Sequence, residues 1–173
     1  KAPNLYESRK ASCNLMRYDD GHVYAVDACA SVNGGVDIIL MYRKDWLDKL
    51  GFEIPVTLDE YIAVADAVSN RDPDGDSVKN TYAIGGADGR YISHVWAAHG
   101  VLPGYWIEEN GELICGSVHP NMREALRTMR HLYEIGAIDP EWKTDNWNRT
   151  KAKFTEGVYG AMCYSRYILD IFN

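Results

Sequence analysis

The sequence predicts an α/β layered domain with a largely parallel sheet flanked by helices. Three observations lead there. Short apolar runs rich in β-branched residues recur, notably VDIILMY at residues 36–42. Amphipathic stretches of helical period lie between them, and Gly, Pro or acidic turns mark almost every switch. Strands alternating with helices in this way argue for layers around a mostly parallel sheet.

The elements follow in order. Residues 1–19 are polar and irregular, and HVYAVD at 22–27 reads as a short strand entered through the turn pair Asp20-Gly21. After the flexible Asn33-Gly34-Gly35, VDIILMY reads as a strand buried on both faces. KDWLDKLG is a short helix closed by Gly51. Thr57-Leu58-Asp59-Glu60 is a capping box opening a helix to about Ser69, with Leu58, Tyr61, Ile62, Val64, Ala65 and Val68 as its inward stripe. TYAIGG is a further strand, and Ile92 to Ala98 a helix. A helix after Pro120 carries a stripe of Met122, Ala125, Leu126, Met129, Leu132 and Tyr133. A helix near Asn148 to Glu156 and the buried strand VYGAMCY complete the pattern.

A chain of 173 residues is the size of one domain, and 46% apolar with 25% charged residues is ordinary for a globular protein. The net charge of −7 and the lack of a basic cluster argue against nucleic acid. No apolar run reaches bilayer length. Cys13, Cys29, Cys115 and Cys163 are scattered without ligand spacing, so they read as buried free thiols rather than a zinc site. The sequon Asn148-Arg149-Thr150 matters only in a glycosylating host. The chain starts without Met and stops just past an apolar segment, which reads as a fragment.

No nucleophile elbow, P-loop, zincin or dinucleotide motif is present, and the histidines read as satisfied residues rather than ligands. Aromatic residues crowd the second half: Tyr91, Trp96, Tyr105, Trp106, Trp142, Trp147, Tyr164 and Tyr167. Aromatic faces stack on sugar rings, although most aromatics fill cores. The loop RDPDGDSVKN offers oxygens in calcium-loop spacing: Asp72, Asp74, Asp76, the Val78 carbonyl and Asn80 at positions one, three, five, seven and nine. Position six is Ser77 instead of glycine, and Ala83 stands where a bidentate glutamate belongs. A structural calcium site and a solvated acidic turn are both consistent with that pattern. No organic cofactor is suggested.

DGHVYAV, LMYRKDWLDKLG, PVTLDEYIAVADAV, DPDGDSVKNTYAIGG, WIEENGEL, LYEIGAIDPEW and FTEGVYGAM, in that order, resemble extracellular solute-binding proteins of bacterial ABC importers, of the carbohydrate-binding lipoprotein kind. The resemblance implies residues 20–173 as the second lobe of a type II periplasmic-binding fold, truncated at both ends. It implies a sugar ligand, ABC permease partners, and a cell-surface lipoprotein whose only membrane link is a lipid anchor outside this chain. It points to two ligand-contacting regions. One is the loop after TYAIGG, with Asp88, Arg90 and Tyr91, to which Trp96 is added. The other follows the GAM strand, with Tyr164, Ser165, Arg166 and Tyr167. Arg166 stands where the family often has a small residue, and it suits an acidic sugar as readily as a neutral one. Two other classes compete: a carbohydrate-active hydrolase using carboxylates such as Asp88 and Glu108, and a calcium-stabilised interaction module. The latter class needs a second acidic loop, which the sequence lacks.

Overall fold

The computed structural model describes Asn4 and residues 17–24, 38–86 and 92–165. The chain forms two compact units, one of residues 1–38 with 165–173 and one of residues 39–164. In the first, the described residues make a tight turn in which Arg17 bridges Val23 in antiparallel fashion. Asp20 braces it, accepting from the His22 amide at 2.9 Å and from the Tyr24 hydroxyl at 2.7 Å. Of the strand expected over 22–27, residues 25–27 lie outside the described residues.

In the larger unit, β1 (Ile38–Tyr42) shares a sheet with β4 (Ala161–Ser165). The Arg43 amide donates to the Gly160 carbonyl at 2.8 Å, setting the end of β1 against the start of β4. The two strands therefore run in opposite directions. The inner contacts are parallel, as expected: Tyr82 bridges Tyr159, and Ile84 bridges Ile138. An antiparallel edge on otherwise parallel pairing is a common arrangement in α/β layers. Ile39 is 36% exposed, so β1 is not buried on both faces. TYAIGG contributes bridges rather than a continuous strand.

Helix α1 (Lys44–Leu50) buries Trp46 and Leu47 and ends at Gly51 in the left-handed conformation. Helix α2 (Leu58–Asn70) carries the full capping box: the Glu60 amide donates to Thr57 Oγ1 at 3.2 Å, and the Thr57 amide donates to Glu60 Oε2 at 3.0 Å. Its stripe is as expected, with Tyr61, Val64, Ala65 and Val68 buried and Leu58 and Ile62 packed against the core. Helix α3 (Ser93–Ala98) buries Val95 and packs on α4 (Met122–Glu134). In α4 the buried stripe narrows to Ala125 and Leu132, while Leu126 and Tyr133 are 53% and 55% exposed. The helix meets α3, α2 and the short turn Gly116–Val118, yet these cover a narrower arc than its apolar periodicity marks. Helix α5 (Trp147–Thr155) is capped by Asn146, whose side chain accepts from the Asn148 and Arg149 amides.

Between α3 and α4 an antiparallel hairpin joins β2 (Trp106–Glu109) to β3 (Glu112–Cys115). Its signal was present in the sequence. Asn110-Gly111 forms the two-residue turn, with φ of +53° and +82°, the geometry that Asn-Gly favours in hairpins.

Candidate functional site

The acidic loop leaves α2 and brings Asp72, Asp74 and Asp76 together, with one carboxylate oxygen of each within 4.8 Å of the others. Local hydrogen bonds impose this. Asp72 accepts from the amides of Gly75 at 2.9 Å and Ser77 at 3.1 Å, and Asp76 accepts from the Val78 amide at 2.7 Å. Ser77, at the sixth position, adopts φ +64°, so the chain makes the sharp turn that glycine provides in calcium loops. Burial raises the Asp74 carboxyl above its ordinary value, and the hydrogen bond with Asp72 adds to it. Asp72 goes the other way: burial opposes, but hydrogen bonds from Asp74 and the two amides hold it down.

The two later donor positions are tied into the loop. The Val78 carbonyl accepts from the Asn80 amide at 3.1 Å, and the Asn80 side chain donates to Asp76 at 3.0 Å. Ala83 is buried, with its amide donating to Ser69 Oγ. The donor set thus fits a hard divalent cation through three carboxylates and lacks the twelfth-position glutamate. Lys49 supplies a cation from behind, donating to the Pro73 carbonyl at 2.8 Å. Beside Asp74 opens a cleft of about 480 Å³ walled by Arg43, Trp46, Lys49, Pro73 and Gly157. Arg43 is paired with Asp45 at 3.0 Å and stacked over the Trp46 ring, so this cleft presents no open aromatic face for a sugar.

Of the residues expected to contact ligand, Asp88, Arg90, Tyr91, Arg166 and Tyr167 lie outside the described residues, and Ser165 is described in its backbone alone. Trp96 is half-buried on α3. Tyr164 is buried at the end of β4, and Trp147 at the start of α5 lies against it with ring centroids 4.0 Å apart. Trp147 keeps 45% of its surface exposed. Where α3 meets α2, the Tyr61 hydroxyl and both ring nitrogens of His94 have no hydrogen-bond partner among the described residues, with the rings 4.9 Å apart and edge to face. Burial pushes His94 down to about 4. His94 therefore departs from the expectation of satisfied histidines, whereas His99 bonds Thr128 and His119 bonds Glu109. Cys115 and Cys163 are free thiols; Cys13 and Cys29 lie outside the described residues.

A second carboxylate cluster was not anticipated. Lys153 Nζ donates to Asp139 at 2.6 Å, Glu141 at 2.8 Å and Asp145 at 2.9 Å. The buried Tyr159 hydroxyl donates to Asp139 at 2.6 Å and Asp145 at 2.8 Å. Asp145 Oδ1 accepts no hydrogen bond among the described residues, and Arg149 Nε lies 3.5 Å from it as an ion-pair partner. Burial acts against ionisation of Asp139, yet bonds from Lys153, Tyr159 and the Glu141 amide hold its carboxyl below the ordinary value. Lys153 is raised: burial opposes, and the three carboxylates outweigh it. Tyr159 passes so close to Gly85 that any side chain there would overlap its ring. The cluster thereby ties the segment leading to Asp88 to the LYEIGAIDPEW and FTEGVYGAM stretches. No motif signals it, because its members converge from a loop, a helix and a strand approach.

No protein-family model matches the chain. The fructooligosaccharide ABC transporter substrate-binding protein FusA of Streptococcus pneumoniae serotype 4 is 30% identical over 159 residues, 84% of this chain and 29% of FusA. Lipoprotein LipO of Bacillus subtilis strain 168 is 29% identical over 150 residues, 75% of this chain and 29% of LipO. The solved structure of a FusA EF-hand mutant in complex with fructo-nystose matches with a TM-score of 0.74 and 26% identity, covering 94% of this chain and 36% of that one. This chain thus spans under a third of the length of these two relatives. Within that span it has the mixed α/β fold of the type II periplasmic-binding proteins, and it is a relative of the substrate-binding proteins of ABC transporters.

Proposed function

We propose that the chain is the ligand-capture lobe of an extracellular substrate-binding protein serving an ABC importer, and that its ligand is an oligosaccharide or another polar sugar. The observation that carries this is the similarity in both sequence and fold to FusA, a fructooligosaccharide-binding protein. The relatives' names describe binding rather than turnover, and this reading includes no reaction. Ligand contacts would shift an open–closed equilibrium between two lobes, of which residues 20–173 form the second. Asp88, Arg90, Tyr91, Trp96, Tyr164, Ser165, Arg166 and Tyr167 are the proposed contacts. Tyr164 and Ser165 end β4, and Asp88, Arg90, Tyr91, Arg166 and Tyr167 follow strand segments in the sequence, the positions where open α/β sheets receive ligands. The contact of the half-exposed Trp147 ring with Tyr164 supports an aromatic wall at that end. The permease subunits are the proposed partners, and a lipid anchor outside this chain the proposed link to the cell surface.

Calcium belongs to the same reading. Asp72, Asp74 and Asp76, with the Val78 carbonyl and Asn80, would hold it, and its charge would offset their mutual repulsion. The close approach of the three carboxylates supports this, as does the EF-hand named for FusA.

Calorimetry against a panel of oligosaccharides tests the reading. This chain alone should bind weakly or below detection, because half of the contacts and the closing motion belong to another lobe. Micromolar binding by the chain alone would overturn the one-lobe account. In a protein that carries both lobes, Asp88→Ala and Tyr167→Ala should each weaken binding by about tenfold or more, with the fold intact. Unchanged affinity in both would remove them from the site. Turnover of chromogenic glycosides, lost in Asp88→Asn, would favour the hydrolase instead.

A further inference from the structure

We propose that the outward face of the β2–β3 hairpin is a second sugar-contact surface, a stacking platform for neutral glycan outside the ligand cleft. This rests on the oligosaccharide reading above. The strand register fixes the two faces. Trp106 pairs with Cys115 and Glu108 with Leu113 on one side; Ile107 pairs with Ile114 and Glu109 with Glu112 on the other. Ile107 and Ile114 are half-buried, so their side turns toward the protein body. The opposite side carries Trp106 at 70% exposure, Leu113 at 66% and the exposed Glu108. Tyr105, at 66% exposure, adjoins it.

Large apolar side chains gathered on one small exposed element mark contact surfaces more often than isolated ones do. The hairpin does not need them for its own closure, which the Asn110-Gly111 turn and the inner isoleucine pair provide. Its base is fastened as well: the Gly116 amide donates to the Tyr105 carbonyl at 2.7 Å, and the Gly104 amide donates to Ser117 Oγ at 3.0 Å. The backbone under the platform is thus ordered before any ligand arrives, which lowers the ordering cost of binding.

The chemistry of the face selects the occupant. An indole offers a flat surface for the apolar face of a pyranose. Glu108 stands on the same side two residues along, roughly 6.6 Å away, about one sugar ring. Its carboxylate has no ion-pair or hydrogen-bond partner among the described residues, so it is open to sugar hydroxyls, which donate strongly to carboxylates. Glu108 on this face, in a chain whose net charge is −7, disfavours polyuronates, anionic lipid surfaces and a second copy of this chain. Neutral glycan fits all of these constraints.

Indole N–H resonances of the five tryptophans provide the test, with Trp106 assigned through Trp106→Phe. The whole chain is titrated with neutral malto-, cello- and fructo-oligosaccharides of increasing length, and separately with polygalacturonate. The Trp106 signal should move saturably at millimolar neutral sugar and stay fixed with polygalacturonate. Trp106→Ala should weaken the interaction about tenfold and Glu108→Gln about threefold, at unchanged circular dichroism. Movement of Trp96 or Trp147 alone would sink the platform and leave the cleft reading standing. No movement of any signal would sink the platform too, while calorimetry on the two-lobe protein decides the cleft separately. Equal shifts with polygalacturonate, or a Trp106 signal that moves with protein concentration alone, would overturn the assignment to neutral glycan.

Discussion

Two regions of this protein each gather three carboxylates, and they solve the repulsion in opposite ways. Around Lys153, Asp139, Glu141 and Asp145 share one ammonium held within 2.9 Å of each. In the loop, Asp72, Asp74 and Asp76 converge at the surface, and Lys49 reaches only the backbone carbonyls behind them. The first cluster carries its own cation inside a buried network. The second crowds negative charge into a turn that a divalent ion from solution would relieve. The lesson is that acid count alone does not distinguish a metal site from a structural knot; the position of the nearest cation does.

The largest expected effect breaks the first cluster. Lys153→Met leaves Asp139, exposed by only 4% at the side chain, without its cation, and leaves Asp145, at 0%, with Arg149 alone. Removing one partner of a buried ion pair costs about 3–5 kcal/mol, so chemical denaturation should show a loss of that size or failure to fold. A loss below about 1 kcal/mol would mean that the network is as weak as a surface pair.

The loop should respond to an ion instead. A ligand that binds only the folded state stabilises it by mass action, about 1.4 kcal/mol at tenfold excess over its Kd. Melting temperature should therefore rise by a few degrees with calcium and far less with magnesium, which demands a tight octahedron. Asp74→Ala should abolish the rise and keep the fold. Coincident melts with chelator and with calcium would leave the stretch as an acidic turn.

Acid gives the smallest and most local contrast. Asp139 titrates below the ordinary carboxylate value of 3.8 in the folded protein, so its stabilisation is present above pH 3.8 and is lost as pH falls below it. Asp74 is raised above 3.8, so its protonation begins earlier and favours the folded loop. Bulk melting cannot separate them, because buried His94 already destabilises the fold as pH falls from 6.5 to about 4. Carboxyl chemical shifts resolve each residue. Asp74 should titrate above Asp139, and calcium should pull Asp74 down. The reverse order would dissolve the contrast between the two clusters.

The capping box at Thr57 and Glu60, the helix stop at Gly51, the α2 stripe and the acidic loop were all legible because each is a matter of residues within a few positions of one another. Local geometry follows from local sequence wherever the hydrogen bonds close within one turn. The β2–β3 hairpin is equally local, its Asn110-Gly111 pair being the signal of a two-residue turn. What the sequence could not show is which distant polar groups meet. An antiparallel β1 looks the same as a parallel one in an apolar run. The exposure of Leu126 and Tyr133 depends on how many neighbours α4 has. His94 and Tyr61 lie 33 positions apart, yet the fold buries them face to edge without partners. The convergence of Lys153, Tyr159, Asp139 and Asp145, and the pressure of Tyr159 on Gly85, exist only once α5 and the strand approaches pack. Sequence determines what bonds within reach of its own backbone; burial, and with it the pairing of charge, is decided by what the tertiary fold places opposite.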